Sequence, residues 1–142
     1  MTYDEKIRWL RRYQDSLRRE DALKWKTERM QARDMGVSPR VSRMPVAHGA
    51  GVAAGGMPER LAEAMDELAA QKTKSKAILR ELKAVIRRCP SSRGRNVLCG
   101  AYIQGLSMKN IARELGLSRR WVTQIHRAAV EKLTLDTSPL DW

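Results

Sequence analysis

The sequence contains only two cysteines and no long hydrophobic run. Cys89 and Cys99 are too few for a disulfide framework, and their spacing, with no histidine pair nearby, does not match a zinc site. We interpret both as small, mostly buried side chains. We therefore predict a protein that needs no metal and no other cofactor.

No apolar segment is long enough for a signal peptide or a membrane helix. Residues 1–13 contain no apolar run, and the longest uncharged stretch, residues 44–58, is interrupted by Gly, Pro and His. We expect a cytoplasmic protein that has no membrane partner.

Common enzyme motifs are missing as well. The sequence shows no carboxylate cluster and no Ser or Tyr nucleophile with a paired base. Gly49, Gly51 and Gly55 are only weakly similar to a phosphate-binding loop, because no strand is predicted before them and no Lys-Ser or Lys-Thr pair follows. We predict that the protein is not an enzyme.

Positive charge, by contrast, is abundant. The net charge of +12 over 142 residues favours a polyanionic partner, with DNA as the first choice and an acidic membrane surface as the second. Residues 91–134 hold eight basic and two acidic residues, so half of the net charge lies in less than a third of the chain. Residues 1–34 have ten bases and seven acids, the mixed pattern of an exposed or partnered helix.

Residues 1–34 are predicted to form one long helix. Residues 3–33 contain no Pro or Gly, and Ile7, Leu10, Tyr13 and Leu17 keep helical spacing. The apolar spacing fails after Leu17. Either the helix bends there onto a second contact surface, or its second half is only partly buried.

Proline and glycine mark the next boundaries. Residues 35–57 are rich in both, which predicts a flexible connector. Pro58 suits the first turn of a second long helix, which we place at residues 58–89, before Pro90. We place a compact head at residues 90–134 and an unstructured tail at 135–142, for which contact with a partner protein is the alternative.

The second helix carries a seam with the four-three spacing of a coiled coil, broken by Lys72 and Ser75. Such a seam must be buried, either against the first helix folded back as an antiparallel pair or against another subunit. We expect a homo-oligomer, with a dimer favoured. The predicted oligomer seam consists of Leu61, Met65, Leu68, Leu79, Leu82 and Ile86.

The head ends in two short helical patterns that meet at a glycine. Ser107 is predicted to cap the first helix, Gly116 to end it with a positive φ, and Ser118 to cap the second. A helix at about 93–104 would cover their back through Val97, Leu98, Ala101 and Tyr102. These three helices make a helix-turn-helix head. The predicted fold class is therefore all-α, a long antiparallel helical pair that could be a coiled coil, followed by this head.

The second helix of the motif has an inward and an outward face. Val122, Ile125, Ala129 and Leu133 recur at helical spacing on the inward face. The outward side chains suit a major groove, because Arg pairs with guanine, Gln with adenine, and Thr with the thymine methyl group. The predicted base-reading residues are Arg119, Arg120, Thr123, Gln124 and Arg127, and the predicted phosphate contacts are Arg93, Arg95, Lys109, Arg113, Ser118 and Lys132.

The motif is similar to the fourth region of bacterial sigma factors, which reads a promoter element. The resemblance lies in Ala112, Gly116 and Val122 at the motif's usual spacing and in the run at residues 115–125. It implies that Arg119, Arg120 and Gln124 fall where that family contacts bases. The sequence differs from the family's usual pattern at Arg120 and at Trp121.

Most of the chain resembles small phage transcription regulators of the ArpU and RinA type. The resemblance is most specific in residues 101–107 and 127–133, whereas the helical pair matches mainly by layout. This resemblance implies a sequence-specific, double-stranded-DNA-binding activator of late genes in a bacterial host cell, associated with the nucleoid. Host RNA polymerase is a further candidate partner, and the acidic, aromatic tail is the segment that would contact it. The DNA-recognition small subunit of a phage packaging terminase, and a helical interaction protein that binds no DNA, remain as alternatives.

Overall fold

The computed structural model describes residues 1–34 and 56–135, and these residues form helices without any strand. The predicted all-α class is therefore confirmed. The predicted connector and tail lie almost entirely outside the described residues. The five α-helices are α1 (Tyr3–Asp34), α2 (Gly56–Arg87), α3 (Ser92–Leu98), α4 (Met108–Leu115) and α5 (Arg119–Lys132), and α3 runs directly into a π-helical turn at Cys99–Ile103.

The chain divides into two compact units, to which α1 and α2 both contribute. Met1–Ser16 and Ser75–Trp142 make one unit, and Leu17–Lys74 makes the other. The division of α1 falls next to Leu17, where the apolar spacing of the sequence stops. The second half of α1 is mostly exposed or half-buried, with Trp25 62% exposed. The structure therefore agrees with one of the two predicted explanations for the lost apolar spacing, namely that the second half of α1 is only partly buried.

In the first unit, α1 and α2 run antiparallel, as predicted. The Ser16 and Ser75 hydroxyls are 2.6 Å apart, and Arg12 donates to Glu81 across 2.7 Å. As the residue number rises along α1, the number of its partner on α2 falls, which fixes the antiparallel direction.

The buried face of α2 differs from the predicted seam. Leu82 and Ile86 are buried, but Leu61, Leu68 and Leu79 are only half-buried, and Met65 is 48% exposed. The buried face keeps Leu82 and Ile86 of the predicted seam, but it has Ala64 in place of Met65 and Ile78 in place of Leu79. The buried residues of α2 are Ala64, Ser75, Ile78, Leu82, Val85 and Ile86.

Leu82 and Ile86 belong to the core of the chain itself. They pack in one apolar cluster with Trp9 and Leu10 of α1. Because these two residues are already covered inside the chain, they cannot join a second subunit unless that core opens. The prediction that they form an oligomer seam is corrected accordingly.

Trp9 is a core residue that the sequence pattern did not indicate. Its side chain is 1% exposed, whereas Ile7 and Tyr13 of the predicted stripe are half-buried. The guanidinium of Arg12 lies over the Trp9 ring, 5.2 Å from its centre. This cation–π contact, together with the Arg12–Glu81 pair, covers the solvent side of the core.

The helix-turn-helix has a core of its own. Val97, Ile111, Ala112 and Val122 are buried together between α3, α4 and α5. Close helix crossing depends on Gly94, since a methyl group there would lie 3.2 Å from the Ala129 Cβ atom. The small residues at these two positions thus allow α3 and α5 to approach each other closely.

The π-helical turn is held by α1. The Gln14 side-chain amide donates to the carbonyl oxygens of Ile103, at 3.0 Å, and Tyr102, at 3.3 Å. These carbonyl groups would otherwise lack part of their helical pairing. The N-terminal part of α1 is therefore built into the head's unit.

No helix among the described residues is long and apolar enough to cross a membrane.

Candidate nucleic-acid interface

The turn of the helix-turn-helix has the geometry that its sequence predicts. The Ser107 hydroxyl accepts a hydrogen bond from Asn110 N at 3.2 Å, and the Ser118 hydroxyl accepts one from Trp121 N at 3.1 Å. Gly116 ends α4 with a φ of 68°, in the left-handed region that favours glycine. The two predicted caps and the predicted glycine turn are confirmed.

The inward face of α5 fixes which side chains remain available outside. Val122, Ala129 and Leu133 are buried, and Ile125 is half-buried, as predicted. Val130 is also fully buried, and it packs in the cluster that contains residues of α1. One side of α5 therefore packs against the rest of the head and against α1, and the other side faces solvent.

The five predicted base-reading side chains are all exposed on α5. Thr123 donates its hydroxyl proton to the Arg119 carbonyl at 2.9 Å, which leaves its methyl group and the acceptor function of its oxygen for contact with a base. Arg127 forms an ion pair with Glu131 at 3.2 Å, and both side chains are more than half exposed. Such an exposed pair contributes little stability, so Arg127 can exchange this carboxylate for a nucleic-acid group at small cost.

Most of the predicted phosphate contacts are exposed too. Arg93, Lys109, Arg113 and Lys132 lie on the surface of the head. Ser118 uses its oxygen as an acceptor in the helix cap and keeps a hydroxyl proton that it can donate.

Arg95 is placed differently from the other predicted phosphate contacts. It is half-buried, and its Nη1 atom donates to the Cys89 carbonyl at 2.6 Å. This hydrogen bond ties α3 to the residues that follow α2. The contact gives Arg95 a structural task, and we leave it out of the phosphate set proposed below.

His126 has a hydrogen-bond partner that its sequence neighbours did not reveal. The Tyr102 hydroxyl lies 2.6 Å from His126 Nε2, and both side chains are largely buried. Burial lowers the pKa of His126, and the positive charge of Arg11 lowers it further. Burial also raises the pKa of Tyr102 to about 12. The tyrosine is therefore the donor and a neutral imidazole is the acceptor at pH 7, which makes His126 a structural residue.

The geometry of the head agrees with a known domain family. Residues 91–134 match the family model described as sigma-70, region 4. The head is a sigma-70 region 4-like helix-turn-helix, a DNA-binding type of domain. The match covers less than a third of the chain and leaves α1 and α2 outside it. Comparison of the chain with curated proteins and with solved structures found no significant match.

The described residues also bear on metal binding. Among residues 1–34 and 56–135, no three His, Cys, Asp or Glu side chains lie close enough together to bind a metal ion. Cys89 is buried and Cys99 is half-buried, and both are free thiols.

Proposed function

We propose that this protein is a sequence-specific regulator of transcription that binds double-stranded DNA, and that it activates late genes of a bacteriophage. The observation that carries the proposal is the solvent-exposed face of α5, on which three arginines, a glutamine and a threonine lie together. The Ser118 side chain caps the N-terminus of this helix. The sigma-70 region 4-like character of residues 91–134 supports DNA as the partner. The proposal includes no catalytic step and no cofactor.

In this proposal, α5 lies in the major groove and reads base edges through Arg119, Arg120, Thr123, Gln124 and Arg127. The first helix of such a motif crosses the DNA backbone, which would bring Lys109 and Arg113 of α4 to phosphates. Arg93, Ser118 and Lys132 complete the phosphate set. The arrangement separates side chains that specify sequence from those that only position the protein.

We also propose that the regulator acts as a homodimer. A single helix-turn-helix reads few base pairs, and two heads placed one helical turn of DNA apart give useful specificity. The remaining exposed part of α2 in the Leu17–Lys74 unit supplies an apolar surface. Met65 is 48% exposed there, and Leu61 and Leu68 are half-buried beside it.

Selection of bound fragments from phage and host genomic DNA tests the proposal. We expect the full chain to enrich one short sequence, present in two copies, upstream of a phage late operon. Enrichment of the phage packaging site would instead support the terminase alternative. Enrichment of no sequence would contradict sequence-specific binding.

Host RNA polymerase is the second partner that we propose for an activator. The acidic, aromatic tail at 135–142, which is the segment predicted to make that contact, lies almost entirely outside the described part of the chain. Pull-down of purified polymerase with promoter DNA present and absent tests this contact. Equal activation of transcription by a variant truncated after Leu133 would contradict a role for the tail.

A further inference from the structure

Two arginines of α1 lie beside the helix-turn-helix and were not among the predicted contacts. Arg8 and Arg11 are exposed, and neither forms an ion pair with a residue in the described part of the chain. They line an open groove whose other side includes Met108, Tyr102 and His126. All of these residues belong to the same compact unit.

The position of α1 beside α5 is fixed by several contacts. Lys6 donates its ammonium proton to the Glu131 carbonyl of α5 at 2.9 Å. Leu10 packs in one buried cluster with Val130 and Leu133. Further along α1, Gln14 donates to two carbonyl groups of the π-helical turn. Arg8 and Arg11 therefore project from a helix that is already ordered against the head.

The groove lies at the part of the motif that approaches the DNA backbone. Met108 is the first residue of α4, and the exposed Lys109 follows it. Because the first helix of a helix-turn-helix crosses the backbone, phosphates are expected next to the start of α4. His126, on the other wall, directly precedes Arg127 of the proposed base-reading set. The groove thus adjoins both helices of the motif.

The charge of the groove suits a phosphate. Its lining contains two arginines and one acid, Asp4, and the largely buried His126 is neutral at pH 7 because burial lowers its pKa. Guanidinium groups bind phosphate oxygens through pairs of hydrogen bonds. Neither arginine forms an ion pair in the described part of the chain, and Arg8 has only a weak electrostatic attraction to the carboxylate of Glu5.

We propose that Arg8 and Arg11 bind backbone phosphates of the same DNA that α5 reads. The inference rests on the proposed function, and it extends the DNA interface beyond residues 91–134 to the N-terminal helix. These two side chains add affinity for any duplex and carry no sequence preference, since they contact only the backbone.

The test compares three full-length double variants with the parent on the selected duplex and on a scrambled duplex, over a range of salt concentrations. Arg8→Gln/Arg11→Gln removes both charges, and Arg8→Lys/Arg11→Lys keeps them. Arg19→Gln/Lys24→Gln removes two exposed charges of α1 from the other unit. The circular dichroism spectrum of each variant checks that its helix content equals that of the parent.

We expect the Arg8→Gln/Arg11→Gln variant to lose affinity for both duplexes by the same factor. Its plot of log affinity against log salt should be less steep by about 1.8, since each lost phosphate contact removes about 0.9. The lysine variant should keep most of the parent's slope, and the Arg19→Gln/Lys24→Gln control should match the parent.

Three results would overturn the inference. One is an unchanged slope and affinity in the Arg8→Gln/Arg11→Gln variant, and another is an equal loss in the Arg19→Gln/Lys24→Gln control, which would reflect net charge alone. A loss on the selected duplex only would place the two arginines at bases. Failure of the parent itself to bind duplex DNA would refute the proposed function. If the parent binds and the Arg8→Gln/Arg11→Gln variant binds equally well, only the inference about the two arginines is refuted.

Discussion

At the scale of single residues, a substitution at Gln124 tests base reading separately from the general attraction of the protein to DNA. Its side chain is exposed on α5 and has the two-sided amide that pairs with adenine. We expect Gln124→Ala to weaken binding to the selected site by about 1–3 kcal/mol and to relax the preference at one base pair. Lys109→Ala is the matched control, because a lost phosphate contact weakens binding to every sequence alike. Competition titrations with single-base variants of the site measure both effects, and unchanged binding by Gln124→Ala would show that the assigned reading face is wrong.

His126 gives a residue-scale prediction about pH and stability. Its pKa in the folded state is below the ordinary value of 6.5, so below that pH the unfolded chain binds a proton that the folded chain resists. The free energy of unfolding should therefore fall as the pH is lowered from 7.5 to 5.5, by at most about 1.4 kcal/mol per pH unit from this group. Urea titrations of the parent and of His126→Gln at both pH values measure this contribution. The variant should lose less stability than the parent, and an equal loss in both would contradict the assignment.

The Tyr102–His126 pair also shows which part of the site no sequence pattern could reveal. The two residues are 24 positions apart, and their contact depends on how the π-helical turn packs against α5. The caps at Ser107 and Ser118 and the turn at Gly116 could be predicted, because each depends on chemistry within four residues of the chain. Placement of Arg95 against Cys89 likewise required the tertiary structure.

At the scale of elements, two residues of the predicted α2 seam differ in burial. Leu82 is fully buried against α1, whereas Met65 is 48% exposed. We expect Leu82→Ala to lower the free energy of unfolding by about 2–5 kcal/mol, and Met65→Ala to change it by less than about 0.5 kcal/mol. Urea unfolding of the monomer at low protein concentration provides the comparison. An equally large loss for Met65→Ala would show that Met65 is buried too, as the sequence predicted.

The sequence of α2 explains why part of its buried face was predicted one residue away. Ile78 stands next to Leu79, and Val85 next to Ile86, so apolar residues occur at neighbouring positions. Packing against α1 buries Ile78 in place of Leu79 and adds Val85, while Leu82 and Ile86 of the predicted seam stay buried. Periodicity alone could therefore predict a long, half-buried helix but could not fix its rotation about its own axis.

At the scale of the whole molecule, the proposed dimer is tested by its mass in solution. We expect the parent to be a dimer and Met65→Glu to be a folded monomer, because the substitution places a carboxylate in the apolar surface between subunits. Ala70→Glu is the matched control, since it adds the same charge at another exposed position of α2. Light scattering gives the masses, and circular dichroism gives the helix content. A monomeric parent would contradict the dimer, and a larger ring would support the terminase alternative.

The central claim, that the head binds duplex DNA by sequence, is tested most directly by one titration. The full chain is titrated with the selected duplex and with a scrambled duplex of equal length and composition, at several salt concentrations. Sequence-specific duplex binding by the head predicts a preference of about 10³ or more for the selected duplex at physiological salt. It also predicts a slope of log affinity against log salt near −5 for each bound chain, at about −0.9 for each of six basic phosphate contacts. These contacts are Arg8 and Arg11 of α1 and Arg93, Lys109, Arg113 and Lys132 of the head. Equal affinity for the two duplexes, or a slope near zero, would contradict the claim.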